Sequence, residues 1–246
     1  MSAIERVGVV GSGLMGSGIA EVSARTAHDV VVVESSEDLA KAGLARLEGS
    51  LHRAEERGKL EEPAADVLAR IRVVTDLDAL ADRDVVVEAI VEDEAAKVEL
   101  FRQLDAIVTA PEAILASNTS SIPIMKLGVV TSRPTQVVGV HFFNPVPVLQ
   151  LVELVPSLIT SPETTERART WVQEGLGKQA IDCQDRAGFV VNALLIPVHP
   201  LGDPDVRVRL RLRRGHRPRP GARSRPPAGP ARARRPDRPG HHQGRG

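Results

Sequence analysis

The sequence predicts an α/β fold with a doubly wound parallel sheet, and two observations lead to that prediction. Short Val/Ile-rich runs recur through the first 197 residues of the 246-residue chain, with helical stretches between them. Such continuous apolar runs are typical of parallel strands buried on both faces. Glycines follow the first run directly, at the point where a nucleotide-binding sheet makes its first turn into a helix.

Each strand is expected where an apolar run ends in turn or polar residues. The expected strands begin at Val7 and continue with Asp29–Glu34, Ile71–Thr75, Asp84–Ile90, Ile114–Ser117, Val137–Phe142 and a run within Leu149–Val155. Between the second and third runs, Ser36–Arg70 is charged and carries apolar residues at helical intervals. We expect two helices joined near Gly58, which form either a solvated hairpin or a helical arm that contacts substrate.

Composition excludes several classes of protein. The chain is 42% hydrophobic, which is enough for a core, and it has no apolar run long enough for a membrane span and no secretory signal. The one cysteine, Cys183, has no internal disulfide partner, and no Cys/His cluster has metal-ligand spacing. We therefore expect a cytoplasmic, metal-free protein that does not bind membranes.

The zero net charge averages two unlike regions. Residues 198–246 hold 14 of the 32 Lys+Arg and 3 of the 32 Asp+Glu, so this tail carries +11 and the remainder −11. The tail also has 9 of the 18 prolines, no lysine and no aromatic residue. Such a composition buries too little apolar surface to offset chain entropy, so the tail is expected to be disordered.

The segment Gly11-Ser-Gly13-Leu-Met-Gly16 matches the G-x-G-x-x-G pattern after a strand and before a helix. In a Rossmann-type fold these glycines permit the turn, the approach of a diphosphate and the packing of helix on strand. Glu34 ends the second strand, where a carboxylate accepts from the ribose hydroxyls of NAD and repels the 2′-phosphate of NADP. NAD is therefore the expected cofactor, and a purely structural glycine turn is the alternative.

Polar residues at strand ends are the candidates for chemistry. Ser117–Ser121 follows one strand and His141 ends another, at the sheet edge where open α/β sheets bind ligands. Glu153 lies in an apolar run and requires a partner, which His141 could provide. Glu92 and Lys97 could flank a bound nicotinamide. Taken alone, these residues also fit ordinary turns, helix starts or a core histidine.

Six segments together resemble the 3-hydroxyacyl-CoA dehydrogenases, most closely the short bacterial 3-hydroxybutyryl-CoA dehydrogenases. The resemblance extends over nearly all of residues 4–197, and the HFFNPVP and SNTSS blocks are specific to that family. The matching segments are Gly11–Gly16, Val87–Glu92, Leu115–Ser121, His141–Pro147, Leu151–Glu153 and Gly188–Asn192.

The resemblance implies oxidation of an (S)-3-hydroxyacyl-CoA, with His141 as acid/base, Glu153 orienting it, and Ser120 and Asn192 hydrogen-bonding the reacting oxygen. Ser50 and Arg57 or Lys59 on the helical arm would contact the coenzyme A part, so these residues bind the substrate together with Ser120 and Asn192 at its reacting end. The residues that would contact NAD are Gly11, Gly13, Leu14, Met15, Gly16, Glu34, Glu92, Lys97, Ser120 and Asn144. The resemblance also implies a role in fatty acid or butanoate metabolism, with no nucleic-acid partner. It implies a homodimer for an intact family member, whereas dimerisation is not expected of a chain whose helical domain is replaced.

Two alternatives remain for the function. A β-hydroxyacid dehydrogenase that acts on a free acid would need a catalytic lysine on a helix, and Gly188–Leu195 contains none. A chain that binds NAD without turnover is the non-enzymatic alternative.

The resemblance predicts an NAD-binding domain over residues 1–183 and the start of an all-helical domain over 184–197. The Arg/Pro tail then replaces the rest of that helical domain. Codons exist for Val198–Arg207 and Arg235–Gly246 that encode family-like helices when both are read from the second base. We therefore expect the tail to be the product of a one-base insertion near codon 197. A genuine basic tail that binds nucleic acid or membrane is the alternative.

Overall fold

A computed structural model describes residues 3–186 and residue 189. The strands of this part are β1 (Arg6–Val10), β2 (Asp29–Val33), β3 (Ile71–Val74), β4 (Val85–Glu88), β5 (Ile114–Ser117), β6 (Val137–Phe142), β7 (Leu151–Pro156) and β8 (Gln179–Asp182). Its α-helices are α1 (Leu14–Arg25), α2 (Glu37–Glu56), α3 (Ala64–Leu68), α4 (Glu94–Ile107), α5 (Ile124–Gly128) and α6 (Pro162–Thr170). Residues 1, 2, 187, 188 and 190–246 lie outside the described part, and they include most of the expected helical start (184–197) and the whole tail.

All eight strands form one sheet in the order β3-β2-β1-β4-β5-β6-β7-β8. The first six strands are parallel, whereas β7 runs antiparallel to β6 and pairs in parallel with β8. The doubly wound α/β prediction is confirmed, but the expectation of a wholly parallel sheet is wrong at this edge. A short connection after His141 returns the chain as a hairpin, which apolar content alone does not reveal.

Alternate residues of the central strands face two separate apolar cores. Val30 and Val32 pack on the side of α1, α2, α3 and α6, whereas Val31 and Val33 pack on the side of α4 and α5. Burial on both faces explains why the sequences of these strands are continuous runs of apolar residues, chiefly valine. The carboxyl ends of the first six strands are thereby left at one common edge.

The charged segment after β2 forms the two expected helices. Ser36 caps α2 by accepting from the Leu39 N–H, and α2 buries one apolar stripe that includes Leu47 and Leu51. Gly58 follows with a positive φ of 61°, and the chain turns back into α3. Of the helices in residues 3–186, none combines the length and apolar character needed to cross a membrane.

A buried lysine holds the connection between β6 and β7. Lys178 is 6% exposed, and its Nζ donates to the Val146 and Leu149 carbonyl oxygens, at 2.8 Å each. Burial lowers the pKa of this ammonium, and the positive charge of Arg25 lowers it further. The two hydrogen bonds tie the start of β8 to the hairpin that returns the chain from His141.

Replacing Lys178 by Met should lower the free energy of unfolding by about 2–3 kcal/mol, because two carbonyl groups would lose their buried donor. Urea unfolding measures the effect. Lys126→Met is the control, since Lys126 pairs with Glu94 on the surface and its loss should change stability by less than about 1 kcal/mol. Equal losses of unfolding free energy in the two variants would contradict the conclusion that Lys178 stabilises the connection between β6 and β7.

Candidate active site

The glycine loop has the backbone geometry that a dinucleotide requires. Gly11 has a φ of +97°, and a Cβ there would lie 2.7 Å from the Ala89 carbonyl oxygen. A Cβ on Gly16 would lie 1.8 Å from the Gly11 carbonyl oxygen, so only glycine allows α1 to pack this closely on the turn. Gly13 caps α1 with open space above it and no acidic residue in the first turn. These features leave the positive end of α1 available to a diphosphate.

Beside this loop, Glu34 is held at the end of β2. Its Oε1 accepts from the Ser12 N–H at 2.5 Å and from the Ser12 hydroxyl at 2.9 Å, and its Oε2 accepts from the Ser35 N–H. A cavity of about 570 Å³ opens here, and its lining includes Gly11, Gly13, Glu34, Leu39, Thr75 and Gln103. The cavity and the carboxylate fit the adenosine half of NAD.

A second cavity, of about 330 Å³, lies at the ends of β4, β5 and β6. Its lining brings together seven of the predicted residues or their neighbours, namely Met15, Glu92, Lys97, Asn118, Ser120, His141 and Asn144. Ala89 and Ile90 line both cavities. The two cavities therefore adjoin at the end of β4, as the adenosine and nicotinamide halves of one cofactor require. Leu14 lies at the start of α1 with its side chain 62% exposed.

His141 and Glu153 are directly opposite each other in the antiparallel pair of β6 and β7. The His141 Nδ1 lies 2.7 Å from the Glu153 Oε2, with Glu153 fully buried and His141 7% exposed. The rings of Phe143 and Phe189 lie edge-on to the imidazole, with centroids 4.7 and 5.6 Å away. Strand β7, which the sequence predicted as a strand but not as an antiparallel one, brings the two residues together.

Glu92 organises the polar loop after β5. Its Oε1 accepts from the Thr119 hydroxyl at 2.5 Å, from the Ser120 N–H at 2.9 Å and from the Ser121 hydroxyl at 2.9 Å. Its Oε2 lies 2.9 Å from the Lys97 Nζ. Burial alone would raise the pKa of Glu92, but the hydrogen bonds from Thr119 and Lys97 outweigh burial and lower the pKa to about 2.

Sequence reasoning missed Glu88, which ends β4. Glu88 is fully buried and accepts from the Lys97 Nζ at 2.7 Å, the Ser117 hydroxyl at 2.5 Å and the Ile90 N–H at 2.8 Å. Lys97 is 1% exposed and bridges Glu88 to Glu92. The signal was available, because a glutamate that ends an apolar strand is the same pattern that identified Glu34.

The predicted coenzyme A residues lie apart from the two cavities. Ser50 is half-buried on α2, Arg57 is its C-terminal cap and Lys59 follows Gly58. Lys59 lines a separate cavity of about 670 Å³ with Arg25, Arg70 and Lys178, among others. The structure does not bring these residues to His141, and Asn192 lies outside the described residues.

Comparison with protein families and curated proteins places these residues in a known context. Residues 6–186 match the family model described as "3-hydroxyacyl-CoA dehydrogenase, NAD binding domain". A 3-hydroxybutyryl-CoA dehydrogenase of Mycobacterium tuberculosis is 56% identical over 196 residues, which are 79% of this chain and 68% of that protein. A probable 3-hydroxybutyryl-CoA dehydrogenase of Bacillus subtilis is 43% identical over the same shares of the two chains.

Solved structures show the same similarity. The crystal structure of M. tuberculosis FadB2 superposes with a TM-score of 0.79 and 55% identity, covering 80% of this chain and 70% of that one. The (S)-3-hydroxybutyryl-CoA dehydrogenase of Ralstonia eutropha superposes with a TM-score of 0.76 and 44% identity, covering 80% and 69%.

Replacing Glu92 by Gln should remove a pH-dependent part of the stability. Because the pKa of Glu92 falls from 4.5 to about 2 on folding, its carboxylate stabilises the native state fully above pH 4.5 and loses that effect as the pH falls towards 2. The stability difference between the native chain and the variant should therefore shrink over this range, as measured by urea unfolding.

The control for this experiment is Glu99→Gln on α4, the helix that begins two residues after Glu92, because Glu99 contacts only the surface side chains Arg102 and Gln103 among the described residues. That variant should differ little from the native chain at each pH. A constant difference between the native chain and the Glu92 variant across the range would contradict the account of this loop.

Proposed function

Because the chain belongs to the 3-hydroxyacyl-CoA dehydrogenase family, we propose that it oxidises a short (S)-3-hydroxyacyl-CoA, such as 3-hydroxybutyryl-CoA, to the 3-oxoacyl-CoA with NAD. The observation that carries this proposal is the 2.7 Å contact between His141 and Glu153, in a cavity that adjoins the glycine loop. Two relatives that are named for 3-hydroxybutyryl-CoA support the choice of a short acyl chain.

In the proposed reaction, His141 accepts the proton of the substrate hydroxyl. If its Nδ1–H donates to Glu153, the lone pair of Nε2 is left free to act as the base. The buried carboxylate stabilises the imidazolium that forms, and it fixes the plane of the ring. In the reverse direction the same Nε2–H returns the proton to the ketone oxygen.

NAD, when bound, supplies the acceptor for the hydride that leaves the substrate C3. The residues of the chain position that acceptor. The glycine loop and the N-terminus of α1 would hold the diphosphate, and Glu34 would accept from the ribose hydroxyls of NAD. Lys97 and Glu92 would meet the nicotinamide half, because both line the cavity that contains His141.

Substrate contacts complete the proposal. Ser120, in the cavity with His141, would hydrogen-bond the reacting oxygen together with Asn192. Ser50 and Arg57 or Lys59 would bind the coenzyme A group of the substrate. The binding energy of that group, which is remote from the reacting carbon, would then order the short acyl chain. A cytoplasmic location belongs to the same proposal and rests here on the family resemblance. A homodimer is implied for an intact family member and is not proposed for this chain, in which the tail replaces the helical domain.

The second candidate is an NAD-binding chain without turnover, and the composition change after residue 197 favours it. The chain spans 68% of the length of the M. tuberculosis relative. Its NAD-binding domain would cover residues 1–183, with residues 184–197 opening a helical domain that the tail of residues 198–246 replaces. An NAD titration beside a rate assay separates the two candidates. NAD binding together with NADH formation supports the enzyme, and binding without NADH formation supports the second candidate.

His141→Gln and Glu153→Gln should each lower kcat for 3-hydroxybutyryl-CoA oxidation, by about 10²–10⁴-fold for His141, because the positioned base is lost. The Kd for NAD should stay close to that of the native chain. His52→Gln, on the exposed side of α2, is the matched control and should retain full activity. Full activity of the His141 variant would contradict the assignment.

A further inference from the structure

A cluster of charged side chains lies beside the cavity that contains His141. Lys97 is 1% exposed, and its Nζ lies 2.7 Å from the Glu88 Oε1 and 2.9 Å from the Glu92 Oε2. Lys97 and Glu92 line the cavity, whereas Glu88 lies at the end of β4, one residue before the lining residue Ala89. One ammonium group is therefore shared by two carboxylates at the proposed nicotinamide site.

Both carboxylates of this cluster are ionised. Glu88 is fully buried. The partners that the described residues provide for it are all donors, namely the Lys97 ammonium, the Ile90 N–H and the Ser117 hydroxyl. The pKa of Glu92 is lowered to about 2. Two negative charges and one positive charge leave the cluster with a net charge of −1 at neutral pH.

The surroundings of the cavity do not cancel this negative charge. Among the described residues that line the cavity, Lys97 is the one with a permanent positive charge. The Lys126 ammonium, at the other side of the start of α4, is paired with Glu94 on the surface. His141 is neutral when it acts as a base, and its partner Glu153 adds a further buried carboxylate.

The two redox states of the cofactor differ in charge at the group that this cavity would hold. The nicotinamide ring is positive in NAD⁺ and neutral in NADH. An unbalanced Lys97 would repel the positive ring, and a buried carboxylate beside it removes that repulsion. Water screens Glu92, whose side chain is 38% exposed, more than it screens Glu88, which is fully buried.

We propose that the buried charge of Glu88 makes the His141 cavity select the oxidised cofactor over the reduced one. Glu88 is a positioning residue, because it holds Lys97 and offsets its charge without lining the cavity itself. The inference rests on the proposed function in one respect, which is the position of the nicotinamide beside Lys97. Such selection suits an oxidation, since NAD⁺ binds in preference and NADH is released more readily after the hydride has been transferred.

The test compares the affinities of the two redox states. The full 246-residue chain and its Glu88→Gln variant are titrated with NADH by its fluorescence, and with NAD⁺ by displacement of NADH. Glutamine has nearly the shape of glutamate, and its amide can still accept from Lys97 and donate to the Ser117 oxygen. Glu88→Gln should weaken NAD⁺ relative to NADH by about tenfold, an effect of the size expected for one buried charge.

Four further variants separate the charge of Glu88 from its shape. Glu88→Asp keeps the charge and should keep the native ratio of the two Kd values, even if both affinities fall. Ser117→Ala removes a hydrogen bond to Glu88 without a change of charge, and it should also keep the ratio. Glu92→Gln removes the other carboxylate and should shift the ratio in the same direction as Glu88→Gln. Glu94→Gln removes an exposed charge and should bind both cofactors as the native chain does.

The proposal is overturned if Glu88→Gln weakens NAD⁺ and NADH by the same factor, because Glu88 would then only support the structure. It is also overturned if Glu88→Asp shifts the ratio as much as Glu88→Gln does. The experiment measures binding alone. A native chain that binds both cofactors but forms no NADH from 3-hydroxybutyryl-CoA would contradict the proposed function and leave this inference intact.

Discussion

A carboxylate that is removed from water must be matched by hydrogen-bond donors or a positive charge, and the site depends on this constraint at two places. Glu153 meets it with the imidazole of His141, and Glu88 meets it with Lys97, Ser117 and a backbone N–H. Both carboxylates are fully buried. Each fixes the direction of a side chain in the cavity, so the polar residues of the site are held by the sheet.

The sheet order explains why these groups meet. The carboxyl ends of β4, β5 and β6 are neighbours at one edge of the sheet. Glu88 ends β4, the polar loop that begins at Ser117 follows β5, and His141 lies near the end of β6. The reversal at β7 then sets Glu153 opposite His141. The glycine loop follows β1, beside β4, so the cofactor cavity and the His141 cavity adjoin.

Much of this arrangement could be predicted from sequence, because it depends on local patterns. Valine runs predicted β2 and β6 to within one residue, and the spacing of glycines with Glu34 predicted the cofactor loop. The reversal at β7 was missed because a buried antiparallel strand has the same apolar content as a parallel one. Glu88 was missed although it ends an apolar strand as Glu34 does, and its partner Ser117 could not be assigned from sequence because the two residues are 29 positions apart.

The central claim is that Glu153 holds His141 with Nδ1 protonated and Nε2 free to accept the substrate proton. Nitrogen-15 NMR of the imidazole in the full chain, with His141 assigned from the His141→Gln spectrum, tests this claim most directly. The account predicts the neutral Nδ1–H form of His141 in the native chain and a mixture of the two neutral forms in Glu153→Gln. A proton on Nε2 of neutral His141 in the native chain would contradict the account, because no base would then face the substrate.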